Sequence, residues 1–182
     1  MLIILGIIIL CLAFVAIFVY FLIVYDGFFG GYDFTSSKAV SQKVIKIISD
    51  RHLESGKFYD LGSCRGGFSA KLARRFSELD IVGVDDNRLR IFCSKIRTVF
   101  LRNIKFKKQD IFTADVSAAD IIYLYLPQEL MPALQIKLQK ELKPGSLIIS
   151  NSVSFVGREP NEILITHKHK PNFQRLFVYA IN

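Results

Sequence analysis

Lys57-Phe-Tyr-Asp-Leu-Gly-Ser-Cys-Arg-Gly-Gly67, continuing as Phe68-Ser-Ala-Lys-Leu-Ala-Arg-Arg-Phe76, decides the fold of this chain. Phe58, Tyr59 and Leu61 make a short apolar run that ends at a glycine, as a buried strand does when it stops abruptly. Past the glycines, Phe68, Leu72 and Phe76 recur at every fourth residue, the spacing of one helix face. Strand, tight turn and helix N-terminus form the first βα unit of an open α/β sheet, with a turn that lets a ligand approach the backbone. Ile81-Val-Gly-Val-Asp85 is a second apolar strand ending in a carboxylate, 25 residues beyond Asp60. Nucleotide-binding folds keep there the acid that holds ribose hydroxyls.

Upstream, Thr35 or Ser36 is placed to cap a helix that carries Val40, Val44, Ile47 and Ile48 on one face. Before it, Leu2 to Tyr25 is an unbroken apolar run of 24 residues with no charged side chain. As a helix it spans about 36 Å, more than the ~30 Å of bilayer hydrocarbon. It lacks the basic n-region and small-residue cleavage site of a signal peptide. Tyr20, Phe21 and Tyr25 suit an interfacial belt. The expectation is a transmembrane anchor over residues 1–25, a connector over 26–34 and one catalytic-type domain over 35–182. Lys38, Lys43, Lys46 and Arg51 follow the run, so the positive-inside rule puts the N-terminus outside and the domain in the cytoplasm.

Downstream, Leu89, Phe92, Cys93, Ile96 and Val99 form an apolar stripe on a further helix, with Arg88, Arg90, Lys95, Arg97 and Arg102 on its other, solvated face. Ile104-Lys-Phe-Lys alternates like a strand. Asp120-Ile-Ile-Tyr-Leu-Tyr-Leu-Pro127 reads as the buried centre of a parallel sheet. Gln128 to Leu142 is an amphipathic helix, Ser146 to Ser150 a fifth strand, and 162–166 with 175–181 a terminal hairpin around two histidines. Alternating strands and helices with a late hairpin predict one doubly wound, mostly parallel α/β sheet with an antiparallel end.

The formal net charge of +8 lies wholly outside the apolar run. Charge of that sign fits an anionic membrane surface, an acidic protein or nucleic acid, and does not separate them. Cys11, Cys64 and Cys93 have no CxxC spacing and leave one cysteine over in any disulfide scheme, which fits a reducing compartment and no zinc site. The histidines at 167 and 169 lack an acidic or cysteine companion, so no metal is expected.

Asp60-Leu-Gly-Ser-Cys-Arg-Gly-Gly67 and the acid at Asp85 resemble the class I S-adenosylmethionine (SAM) methyltransferases, whose first turn reads Asp/Glu-x-Gly-x-Gly-x-Gly. Several segments narrow this to the small archaeal protein-lysine methyltransferases and the membrane-tethered mitochondrial lysine methyltransferases. Tyr32-Asp-Phe-Thr-Ser36 stands where that group has Tyr-Val-Pro-Thr-Pro. Gly83-Val-Asp-Asp-Asn87 stands for Gly-Val-Glu-x-Asn, and Lys137-Leu-Gln-Lys-Glu-Leu-Lys-Pro-Gly145 for Lys-Leu-x-Lys-Glu-Leu-Lys-Pro-Gly. The likeness covers residues 31–182. Its departures are Cys64 for glycine, Arg65 for aspartate and Gly67 for arginine.

The resemblance implies a Rossmann-like methyltransferase sheet and transfer of a methyl group from SAM to a protein lysine amine. It implies cofactor contacts at Thr35, Asp60, Gly62, Ser63, Cys64, Gly66, Asp85, Asp86, Asp110 and Leu126, with Asp110 facing the adenine. Tyr123 and Tyr125, at the end of the fourth strand, would line the acceptor pocket. Cys64 is expected to take a backbone conformation open to a Cβ, with only its amide toward the ligand. A protein substrate at a membrane is the expected partner. An RNA methyltransferase, or a non-catalytic SAM-fold module binding a membrane partner, are the alternatives. The anchor disfavours nucleic acid.

Overall fold

Short runs of Ile, Val, Tyr and Phe between glycine or polar turns become the strands of one sheet in the computed structural model, which describes residues 2–29, 36–167, 169–170 and 173–182. In chain order the strands are β1 (Lys57–Leu61), β2 (Asp80–Asp85), β3 (Ile104–Lys108), β4 (Ile121–Leu124), β5 (Leu147–Asn151), β6 (Glu162–Leu164) and β7 (Leu176–Ala180). They lie in the order β3-β2-β1-β4-β5-β7-β6. The first five strands are mutually parallel, while β7 runs antiparallel to β5 and β6 antiparallel to β7. The expected sheet with its antiparallel end is therefore what forms. Strand order reverses between β1 and β4, which opens a crevice beyond their carboxyl ends.

Helices cover both faces. α2 (Lys38–Asp50) and α3 (Gly67–Arg75) press Val40, Val44, Ile48, Phe68 and Leu72 onto Phe58, Ile121 and Tyr123. On the other face, Met131, Leu134 and Leu138 of α5 (Met131–Glu141) meet Leu61, Val84, Leu124 and Ile148. Successive residues of β1 and β4 serve opposite faces, so these strands need apolar residues throughout. Each large side chain fully removed from water contributes roughly 1.5–3 kcal/mol.

Ser37, rather than Thr35 or Ser36, caps α2: its side chain accepts from Val40 N. Thr35 lies outside the described residues. β4 stops at Leu124, short of Pro127, and a 3-10 turn at Gln128–Leu130 precedes α5.

α4 (Arg88–Arg97) departs most from its pattern. Its inward residues are Arg90, Ile91 and Ser94, whereas Phe92, Ile96 and Val99 of the expected core stripe are exposed. Polar ties set this rotation. Asn87 caps the helix through Leu89 N and Arg90 N, and the Ser94 hydroxyl reaches the Cys64 carbonyl at 2.9 Å. Beneath it, the edge strand β3 turns Phe106 inward and leaves Lys105, Lys107 and Lys108 exposed, so little apolar surface is left to cover.

α1 (Leu2–Phe29) is the one helix among the described residues long and apolar enough to cross a membrane, and none of its span Leu2–Phe21 is buried. The helix runs to Phe29, through the first residues of the connector expected over 26–34. The chain divides into two compact units, Met1–Asp33 and Phe34–Asn182.

Candidate active site

The β1–α3 turn is held by backbone bonds to the end of β2. Gly62 N and Ser63 N both donate to Val84 O at 2.9 Å. Gly62 has φ +80°, and a Cβ there would stand 2.5 Å from Leu126 Cδ2, so the glycine admits both the turn and the side chain lying on it. Gly66 (φ +66°) opens α3; a Cβ at that position would fall 2.6 Å from the Phe106 ring and 2.9 Å from Ser94. Its conformation and its tight packing both favour glycine. The Ser63 hydroxyl is buried with no partner among the described residues, and lies where a Cβ on Gly83 would meet it at 2.9 Å. It therefore lies over Gly83 of β2.

Cys64 corrects one expectation. Its φ is +48°, the left-handed region that a Cβ disfavours, and its amide donates to Asp85 Oδ2 at 2.9 Å. The turn must curl this way to bring that amide to the carboxylate, and the thiol is left beside the buried Arg90, whose Nη1 lies 3.9 Å from Sγ. Asp85 Oδ1 accepts in turn from Asn87 N at 3.0 Å. Each carboxylate oxygen retains a further lone pair. Burial holds the Asp85 carboxyl above the usual range, opposed by its two backbone bonds and by Arg90. Asp86, the next residue, is exposed.

Asp60 lies below the turn. Its carboxylate is buried and takes the Ser69 hydroxyl as partner. Desolvation pushes its pKa up to about 7; Ser69 opposes the rise and the charge on Asp85 adds to it. Asp110 is exposed after β3 and accepts from Phe112 N at 2.8 Å, so its side chain is tied into its own turn. Leu126 is half-buried.

Two tyrosines that look equivalent in sequence are separated. Tyr123 is 1% exposed, its ring 4.2 Å from that of Phe68, and its hydroxyl bonds Ser36 Oγ at 2.6 Å and accepts from Asn151 Nδ2 at 3.0 Å. Burial raises its pKa far enough that the phenol stays protonated in ordinary buffers and cannot act as a base. Tyr125 is half-buried near the same strand end, and its hydroxyl accepts from Gln174 Nε2 at 3.1 Å. Sequence reading missed three partners here: Ser36, Asn151 and Gln174. Asn151 carried a faint signal as a polar residue closing the apolar β5. Gln174, at φ +51°, carried none.

The crevice between β1 and β4 thus has a carboxylate with spare acceptor capacity on the glycine-turn side and the half-buried Tyr125 on the other, with Tyr123 buried in the core. A carboxylate with free lone pairs at that place fits the ribose hydroxyls of SAM, which donate to it.

A family model described as ANTKMT methyltransferase domain matches residues 60–162, more than half of the chain. A protein-lysine N-methyltransferase of Saccharolobus islandicus is 29% identical over 126 residues, which cover 68% of this chain and 78% of that protein. A carboxy-S-adenosyl-L-methionine synthase of Nautilia profundicola is 27% identical over 128 residues, covering 66% of this chain and 55% of the other. Among solved structures, an RNA methyltransferase from Salinibacter ruber in complex with S-adenosyl-L-homocysteine superposes with a TM-score of 0.72 at 20% identity, covering 81% of this chain and 94% of that one. A SAM-dependent methyltransferase from Geobacter sulfurreducens, also with S-adenosyl-L-homocysteine, gives 0.51 at 21% identity, with coverage of 60% and 47%.

Proposed function

Because the chain belongs to the ANTKMT methyltransferase domain family, and so is a class I SAM-dependent methyltransferase, we propose that its acceptor is a protein lysine. The similarity to the archaeal protein-lysine N-methyltransferase, along most of that protein's length, carries this reading.

SAM supplies an activated methyl group on its sulfonium. In this proposal the acceptor lysine enters the crevice beside Tyr125 and meets the donor in line, the protein contributing mainly alignment. The attacking amine must be neutral. Tyr125, half-buried at the edge of the apolar core that holds Phe68 and Tyr123, disfavours the ammonium form by desolvation and so lowers the lysine pKa. Asp85 takes the ribose hydroxyls with its remaining lone pairs, and Leu126 lies against the turn beneath the cofactor. Gly62, Gly66 and Cys64 shape that turn, Asp60 sits under it, and Asp110 and Asp86 stand at the adenine and ribose rims. Tyr123 acts from within the core, without touching the reacting atoms.

We propose further that α1 anchors the chain in a membrane, with 35–182 as the methyltransferase domain on the cytoplasmic side and the N-terminus outside. The uncharged, exposed helix and the lysines at 38, 43 and 46 support this. Protease added to right-side-out vesicles should leave the domain intact; its digestion from outside would reverse the orientation.

Incubating the full chain with SAM carrying a labelled methyl group, in the presence of total membrane protein and of RNA, tests the acceptor. Label in acid-stable N-methyl-lysine is expected. Label in RNA would transfer the reading to an RNA methyltransferase, and no label in either, with SAM bound, to a non-catalytic module.

A further inference from the structure

We infer that α4 and the turn that follows it form a docking surface for an anionic lipid bilayer. Phe92 and Ile96, one turn apart on α4, and Val99 and Phe100, in the turn after it, are 51%, 57%, 68% and 94% exposed. Single exposed apolar residues are ordinary, but four large ones within nine consecutive residues are not. Arg88, Lys95, Arg97 and Arg102, all exposed, flank them. Residues 88–108 hold eight Lys or Arg and no Asp or Glu; the other 16 basic residues of the chain match its 16 acidic ones. The whole formal excess of +8 therefore sits on this one helix and the strand after it.

An apolar ridge rimmed by Lys and Arg is the chemistry of helices that lie in a membrane interface: apolar side chains enter the headgroup boundary while the cations meet lipid phosphates and carboxylates. Single-stranded RNA could stack on Phe92 and Phe100, but Ile96 and Val99 give it no stacking plane, whereas a bilayer interface takes up all four side chains. Such docking deepens the membrane reading of α1. It would hold the domain against the surface where a membrane protein presents its lysines, with an anchored domain already at high local concentration there.

The chain contains no tryptophan, so Phe100→Trp gives a single fluorescent reporter on the ridge. The full chain would be reconstituted with brominated phosphatidylcholine vesicles, with and without phosphatidylserine. Emission should shift to the blue and be quenched in the anionic vesicles, and recover at high salt. The reporter Val156→Trp, at a 68% exposed site in the loop after β5, should stay unquenched. Removing Lys95 and Arg97 together should lower the docked-to-free ratio roughly 25-fold, at about fivefold per charge. Quenching no greater than at Val156→Trp, equal quenching in neutral vesicles, or an emission change with single-stranded RNA but not with vesicles would each overturn the inference. Flotation of the same samples at high salt reads the anchor separately. A chain that floats with its ridge unquenched sinks the docking surface and keeps the anchor; quenching without flotation does the reverse.

Discussion

The two sides of the crevice are built from different materials. The β1–β2 side is backbone: Gly62, Ser63 and Cys64 donate their amides to Val84 and Asp85, 21 or 22 residues beyond them in sequence. The β4–β5 side is side chain: Tyr123 joins Ser36 and Asn151, and Tyr125 joins Gln174, across separations of 87, 28 and 49 residues. A site made of backbone is specified by glycines and by one acid at a fixed distance. A site made of side chains is specified by packing among distant segments. In the proposed function the first holds a donor common to many enzymes, and the second faces the acceptor that distinguishes this one.

The harshest way to break the comparison is at Gly62. A methyl group there meets Leu126 at 2.5 Å and forces a side chain into φ +80°. Gly62→Ala should cost about 3–5 kcal/mol of stability, from overpacking and backbone strain together. Denaturant unfolding checks it; a loss below ~1 kcal/mol would mean the turn is not held as described.

Asp60 gives the next effect. Its folded pKa of about 7 exceeds its unfolded value of 3.8, so the folded state binds more protons between them. Stability should fall as pH rises from about 4 to 7, by up to ~4 kcal/mol, and level off above. Asp60→Asn should flatten that slope. A wild-type midpoint that rises with pH in this window would contradict the burial of Asp60.

Tyr123→Phe probes the other side. It strips a partner from Asn151 Nδ2, which is buried, and should cost about 1–3 kcal/mol while leaving SAM affinity within about twofold. If SAM binding falls with it, the two sides are not separable. Tyr125→Phe, near the rim, should alter acceptor KM more than stability.

The smallest effect concerns Cys64, and here the structure reverses a sign. An extended backbone would make Cys64→Gly destabilising through the entropy of the unfolded chain. At φ +48° the relief of left-handed strain opposes that entropy, so the variant should be neutral or more stable by up to about 1 kcal/mol, with SAM affinity held. Thermal and calorimetric titration of the pair decides it.

The same contrast explains what could be read in the chain. The glycine spacing, the acid after β2 and the period-four stripe of α2 each have a local physical cause, and each appears where expected. α4 has the same kind of stripe, yet Phe92 and Ile96 face outward, because periodicity states that an apolar face exists and not what covers it. Its rotation is set by Ser94 and Arg90 bonding to Cys64, polar pairings from another segment. Ser36 looked like a cap and instead holds Tyr123, because Ser37, one residue later, takes the cap.

Calorimetric titration of SAM into the full chain and into Asp85→Ala tests the central claim most directly. The wild type should bind at one site. The variant, losing charge-assisted bonds to the ribose hydroxyls, should bind about 30- to 1000-fold more weakly, or roughly 2–4 kcal/mol. Equal affinity in the two proteins, or no binding by the wild type, would contradict a cofactor site built on this turn.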